Sequence, residues 1–238
     1  MSNITLICGS TGVGKTTFAA AVAARLAHDK IHTLLIGPDT HVPAFSLWVH
    51  APAHEPVSLG TVLERELTAE SVAAGVYLPQ GNRHCLGVLG YLPGEASDKY
   101  TPPGMEQAER LLQIASSLAE RVVVDGTVYG DALTRAAARL VDIRFALTEP
   151  GPRGLLWQKS RPPEKGAGET FRIACPRAPD DPVEETANRL HGSFFAVLPQ
   201  TAEVHAKLTE CRLFEPYADK AYRQAVEKAA NAVTGGAA

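Results

Sequence analysis

The sequence lacks any C-x-x-C pair: its four cysteines, Cys8, Cys85, Cys175 and Cys211, stand far apart. That pattern excludes a paired-cysteine redox or metal motif and reads as free thiols in a reducing cytoplasm. No apolar run approaches the ~18 residues that a membrane span requires. Met1 leads straight into an apolar strand pattern without the layout of a signal peptide, so a cytoplasmic location is expected. The formal net charge of -3 gives no bulk attraction to nucleic acid or anionic lipid. No DNA-reading motif is present, so DNA contact has no support from charge. No internal repeat or domain linker breaks the chain, and 238 residues suit one large α/β domain spanning 1–238 with a full core.

What is present is concentrated in Cys8-Gly9-Ser10-Thr11-Gly12-Val13-Gly14-Lys15-Thr16-Thr17. Gly9, Gly14, Lys15 and Thr16 satisfy G-x-x-x-x-G-K-[ST], the phosphate-binding loop of nucleoside triphosphatases. The apolar, partly β-branched run at 4–8 predicts a buried strand, and the alanine-rich run at 16–28 predicts a helix. Strand, glycine loop and helix are the context this motif needs. Glycines let backbone N–H groups approach phosphate oxygens without a Cβ in the way. The helix start aims its free N–H groups and dipole at the same oxygens. Lys15 is placed to reach the β- and γ-phosphates and the Thr16 hydroxyl to ligate Mg²⁺. Ser10, Thr11, Gly12, Val13 and Thr17 complete the nucleotide-binding loop.

Further strands are expected at 31–36, 76–78, 86–89, 122–125, 143–147, 171–175 and 194–198, those at 76–78 and 86–89 flanking a turn at Gln80-Gly81-Asn82-Arg83. Helices are expected at 58–74, 104–120, 131–140, 151–159, 182–191, 202–209 and 216–233. The last is alanine-rich with a weak apolar face of Val226 and Val233, a poor membrane anchor. Strands alternating with helices imply a mostly parallel sheet with helices on both faces. Asp39 ends the second strand, the edge where such sheets bind ligands; it is a candidate for the Mg²⁺ or water region, or a turn residue capping its own backbone. Val122-Val123-Val124-Asp125 has the form of a Walker B strand, with Asp125 supporting the metal beside Thr16. Residues 42–60 read as a Pro- and His-rich surface loop. His50 and His54 have helical metal spacing, but Pro52 and Pro56 oppose a helix there. Residues 160–169 read as a solvated loop, with Arg153, Lys159, Arg161 and Lys165 as its basic set.

The order of these motifs resembles the ParA/MinD-type ATPases. Thr11-Gly12-Val13-Gly14-Lys15-Thr16-Thr17 is similar to that family's G-G-V-G-K-T-T. Leu34-Leu35-Ile36-Gly37-Pro38-Asp39 resembles its L-L-x-D-x-D strand, Val122 to Asp125 its Walker B strand, and Ala196-Val197-Leu198-Pro199-Gln200 its late strand and proline turn. The resemblance implies a three-layer P-loop fold and ATP with Mg²⁺ as ligands. It implies that Asp39 orients the attacking water and that Pro199 and Gln200 border the base. It also implies an ATP-dependent homodimer that works with a protein partner to position DNA, pili, or secretion or conjugation machinery. The chain departs from the family at Ser10, where a signature lysine is usual, at Gly37, where the first Asp of the pattern is usual, and at Gly126-Thr127-Val128, where P-P-G is usual.

Two other readings fit the loop. A dethiobiotin synthetase-like ligase needs a lysine soon after the second strand, and residues 37–60 contain neither Lys nor Arg. A nucleotide-binding module with little turnover fits the departures at Ser10 and Gly37. No N-K-x-D guanine signature is present, which favours adenine.

Overall fold

The apolar runs become strands buried on both faces, and the alanine-rich runs become the helices that cover them. The computed structural model describes residues 3–49, 52–79, 85–95, 97–128, 130–160 and 168–235. In chain order the elements are β1 (Ile4–Gly9), α1 (Lys15–His28), β2 (Thr33–Gly37), α2 (Phe45–Trp48), α3 (Leu59–Leu63), α4 (Ala69–Gly75), β3 (Leu86–Gly90), α5 (Met105–Leu118) and β4 (Arg121–Asp125). There follow α6 (Ala132–Leu140), β5 (Ile143–Thr148), α7 (Pro152–Ser160), β6 (Glu169–Ala174), α8 (Val183–Arg189), β7 (Ala196–Val197), α9 (Ala202–Thr209) and α10 (Lys220–Thr234).

The strands form one sheet in the order β3-β2-β4-β1-β5-β6-β7, and every pair is parallel. Parallel neighbours need crossovers, which the intervening helices supply. Strand residues alternate between two cores, as the pleat requires. Ile7, Leu35, Val123, Phe145 and Ile173 pack with α1, α2 and α10. Ile4, Leu6, Leu34, Ile36, Val122 and Val124 pack with α3, α5 and α6. The result is a three-layer α/β architecture. The chain passes from β4 to β5 across β1, so the loop after β1 lies where the strand order reverses, the place where open α/β sheets bind ligands.

Several local expectations are corrected. The single helix expected over 58–74 is two. Ser58 caps α3, and Thr68 restarts the chain as α4 through a capping box in which Thr68 and Ser71 exchange backbone-to-hydroxyl bonds of 3.0 and 3.1 Å. Residues 76–78 form no strand; Tyr77 makes one antiparallel bridge to Val88, and the turn at 80–83 lies outside the described residues. A short helix, α2, interrupts the expected 42–60 loop. His50 lies outside the described residues, whereas His54 stacks on Tyr77 with ring centroids 4.8 Å apart. The late strand is only Ala196–Val197. Positions 161–167 of the basic loop also lie outside the described residues. The apolar face of α10 is broader than two valines: Tyr222, Ala225, Val226, Ala229, Ala230 and Val233 are all buried, and the helix packs on α1. Among the described residues, no helix is long and apolar enough to cross a membrane.

Candidate nucleotide site

The loop between β1 and α1 is shaped by its glycines. A Cβ on Gly9 would lie 2.7 Å from the Leu147 carbonyl oxygen and 2.8 Å from Val13. Gly12 and Gly14 have φ of 74° and 89°, left-handed values that other residues adopt only at a cost. Gly14 is the N-cap of α1, and no side chain caps that helix. Its leading N–H groups and the positive end of its dipole thus point into the loop. Lys15 folds back, and its Nζ donates to the Ser10 carbonyl at 2.9 Å. Ser10 Oγ is buried and has no hydrogen-bond partner.

Parallel pairing of β1 with β4 places Asp125 opposite Ile7, beside the start of α1. Asp125 is 6 % exposed, and its Oδ1 has no partner. Burial pushes its carboxyl up to about 7; the Thr16 hydroxyl, which hydrogen-bonds it, and the Lys15 charge oppose that rise, and the Asp39 charge adds to it. Asp125, Thr16, Lys15 and Asp39 are therefore within electrostatic reach of one another. Asp39 is also the turn cap that its sequence allowed: its Oδ1 accepts from the backbone N–H groups of His41 and Val42 at 2.8 and 3.0 Å.

The departures have physical causes. A Cβ on Gly37 would lie 2.5 Å from the Trp48 ring, so the indole of α2 occupies the space of an aspartate side chain there. A Cβ on Gly126 would lie 2.7 Å from the Ile7 carbonyl, which accepts the Gly126 N–H at 2.8 Å. After Gly126, Asp131 Oδ2 accepts from the Thr127 and Thr134 hydroxyls, each at 2.6 Å, and this fixes the β4–α6 turn without prolines.

Pro199 and Gln200 follow β7, at the same C-terminal edge as the phosphate loop but three strands away. At the usual strand spacing that is about 14 Å, a separation suited to opposite ends of one nucleotide. Two residues at this edge carried no signal in the sequence. Glu149 follows β5, and Arg177 lies just beyond β6. Their side chains pair at 3.2 Å, and the Arg177 guanidinium comes within 3.5 Å of the position a Cβ on Gly12 would take. A cation thus lies beside Gly12 although position 10 is a serine.

The fold and the loop geometry define the three-layer P-loop class of α/β proteins. More narrowly, the fold is that of the ParA and MinD ATPases. A ParA-family ATPase from Chlorobium tepidum superposes with a TM-score of 0.78 at 15% identity, over 97% of this chain and 99% of that one. MinD complexed with Mg-ADP from Pyrococcus horikoshii gives 0.75 at 18% identity, over 98% and 96%. The MinC:MinD cell division complex of Aquifex aeolicus gives 0.74 at 14% identity, over 100% and 98%. No family profile and no curated protein matches the chain, so the likeness is one of fold.

Proposed function

We propose that the chain is a nucleotide-switched ATPase. It binds ATP with Mg²⁺ at residues 9–17, pairs head-to-head with a second copy in the ATP state, and resets on hydrolysis. With a protein partner it positions DNA or a pilus, secretion or conjugation complex in the cytoplasm. The observation that carries this reading is the meeting of Thr16 and Asp125 beneath a glycine loop, with Ser10 Oγ and Asp125 Oδ1 both buried and unpaired. Orphaned buried polar atoms are costly, and a phosphate and the hydration shell of a metal are what would satisfy these two.

Thr16 and Asp125 would hold Mg²⁺, which when bound supplies charge against the phosphates. The backbone of residues 9–14 cradles phosphate oxygens. Lys15 exchanges the Ser10 carbonyl for the β- and γ-phosphates. Asp39 directs water while its Oδ1 keeps the turn in place, and Pro199 and Gln200 border the base. The solved likeness of fold to a MinC-bound MinD supports a protein partner of unstated identity.

Slow turnover is the second reading, and Trp48 favours it: its ring excludes an acidic side chain at position 37. Dependence on a partner is then expected. Solution mass in Mg-ATP and in Mg-ADP, for the wild type and for Asp39→Ala, tests the switch. A dimer confined to ATP supports it; a monomer in both nucleotides overturns it.

A further inference from the structure

On the α6 side of the sheet, α6 and α7 leave part of β1, β5 and β6 uncovered. The gap is a cavity of about 490 Å³, within the size range of small-molecule sites. Its floor consists of two cross-strand rows, Leu6–Arg144–Thr170 and Cys8–Ala146–Arg172, set by the parallel register. Alternate residues of a strand share a face, so Arg144 and Arg172 stand on the same floor. Arg135 of α6 and Trp157 of α7 line the walls.

The charge balance of this cavity is one-sided. Among the described residues, three guanidiniums line it and no carboxylate does. Among the described residues, none of the three arginines pairs with an acidic side chain. Arg144 is only 9 % exposed. Its Nη2 donates to the Ala138 carbonyl at 2.9 Å, but its Nε is buried without a partner. Arg172 Nη1 donates to the Leu190 carbonyl at 3.2 Å. The Trp157 indole N–H is also buried and unpaired. A buried charge is costly unless it is paired, and arginine cannot shed its charge as a buried lysine can. A planar, donor-rich guanidinium matches carboxylate, sulfonate or phosphate, and an indole wall suits a flat apolar ring.

We propose that this cavity is a second binding site, separate from the nucleotide loop, for a small organic anion with a flat aromatic body. Arg144 and Arg172 receive the anionic group, Arg135 closes over it from the rim, and Trp157 packs against the ring. The walls have a route to the nucleotide edge: Gln158 Nε2 of α7 donates to Thr148 Oγ1 at 2.6 Å, and Thr148 precedes Glu149.

The test uses two fluorescent probes on the full chain with saturating Mg-ADP, which keeps the phosphate loop occupied. One is 8-anilinonaphthalene-1-sulfonate, an aromatic anion. The other is N-phenyl-1-naphthylamine, with the same rings and no sulfonate. The expected result is saturable binding of one sulfonate probe per chain, at least tenfold tighter than the neutral probe. Energy transfer from tryptophan should fall in Trp157→Phe to what Trp48 alone supplies. Arg172→Met, at a half-buried position, should weaken the sulfonate probe at least tenfold and leave the neutral probe unchanged. Arg144→Met should abolish the preference; if it fails to fold by circular dichroism, Arg172→Met alone decides. Equal affinity for both probes, indifference of the sulfonate probe to Arg172→Met, or no saturable binding overturns the proposal. Because Lys15→Ala disables the loop and leaves this cavity intact, sulfonate binding in that variant separates failure here from failure of the ATPase reading.

Discussion

The Arg177 guanidinium and the Glu149 carboxylate lie 3.2 Å apart, with the arginine over Gly12 of the phosphate loop. The chain has Ser10 where a family lysine is usual, and Arg177 is a second cation beside the loop, after Lys15, whose Nζ donates to the Ser10 carbonyl. The arginine side of the pair is exposed, and Arg153 remains 3.9 Å from the more buried Glu149 carboxylate when Arg177 is removed, so the loss costs little stability, ~0–1 kcal/mol. Arg177→Ala should therefore fold normally yet lower ATP hydrolysis by about tenfold or more, as loss of a charge that stabilises the reacting phosphate does. Glu149→Gln releases the arginine and should tighten ATP binding. Titration calorimetry and phosphate release check both, and unchanged kinetics in Arg177→Ala would remove the arginine from the site.

Asp125 presents the opposite balance, a group that costs stability for a functional reason. Its folded carboxyl is raised to about 7, first by burial. A raised acid binds its proton more readily folded than unfolded, so the nucleotide-free protein gains stability as pH falls from about 7 toward 4. Asp125→Asn removes the ionised form. At pH 8 without nucleotide the variant should be at least as stable as wild type, and the difference should shrink on acidification. Its Mg²⁺-dependent ATP affinity should be lost. Thermal melts across that range, with and without Mg-ATP, give both results.

Glu95 titrates in the other direction. Burial raises its carboxyl, but hydrogen bonds from Tyr100, Lys99, Ser58 and the Leu92 N–H outweigh burial and hold it at about 2. Ser58 is also the cap of α3, so Glu95 ties the 91–100 loop to that helix. The stability it supplies is present above its ordinary value of 4.5 and is lost as pH falls from there toward 2. Glu95→Gln should cost about 1–3 kcal/mol at pH 7, and less at pH 3. Urea unfolding at the two pH values measures the difference.

Gly37→Asp restores the family pattern in sequence but not in space. Its Cβ would meet the Trp48 ring at 2.5 Å. Overpacking of this kind costs about 1–3 kcal/mol, and the new carboxylate would add to the charge around Asp125. The single variant should melt lower than wild type. Gly37→Asp should cost less in a Trp48→Ala background than in wild type, because the two changes touch the same space.

The parts of the candidate site written in one stretch of chain are legible in the sequence. Residues 9–17 need specific backbone conformations, and only glycine at 12 and 14 supplies them cheaply. Asp125 was legible because a buried strand ending in an acid is an unusual string. Glu149 and Arg177 were not legible: each is an ordinary charged loop residue, and they meet only because β5 and β6 are neighbours. Arg144 was hidden in the same way, since 143–147 reads as one apolar strand and its outlying arginine gains meaning only when Thr170 and Leu6 flank it. The break at 64–68 was missed because Ser71 takes the role usually given to Glu or Gln in a capping box.

The packing of α10 on α1 ties the phosphate loop to a distant stretch of the chain. Ala225, Ala229 and Val233, part of the stripe that covers α1, follow α1 by about two hundred residues of chain. Arg25 of α1 pairs with Glu227 at 3.4 Å, and Arg121 Nε at the start of β4 donates to the Val233 carbonyl at 3.1 Å. A nascent chain halted before Lys220 therefore holds every residue of the loop without the helix that backs it. The backing of the loop is complete only once Lys220–Thr234 has folded against α1.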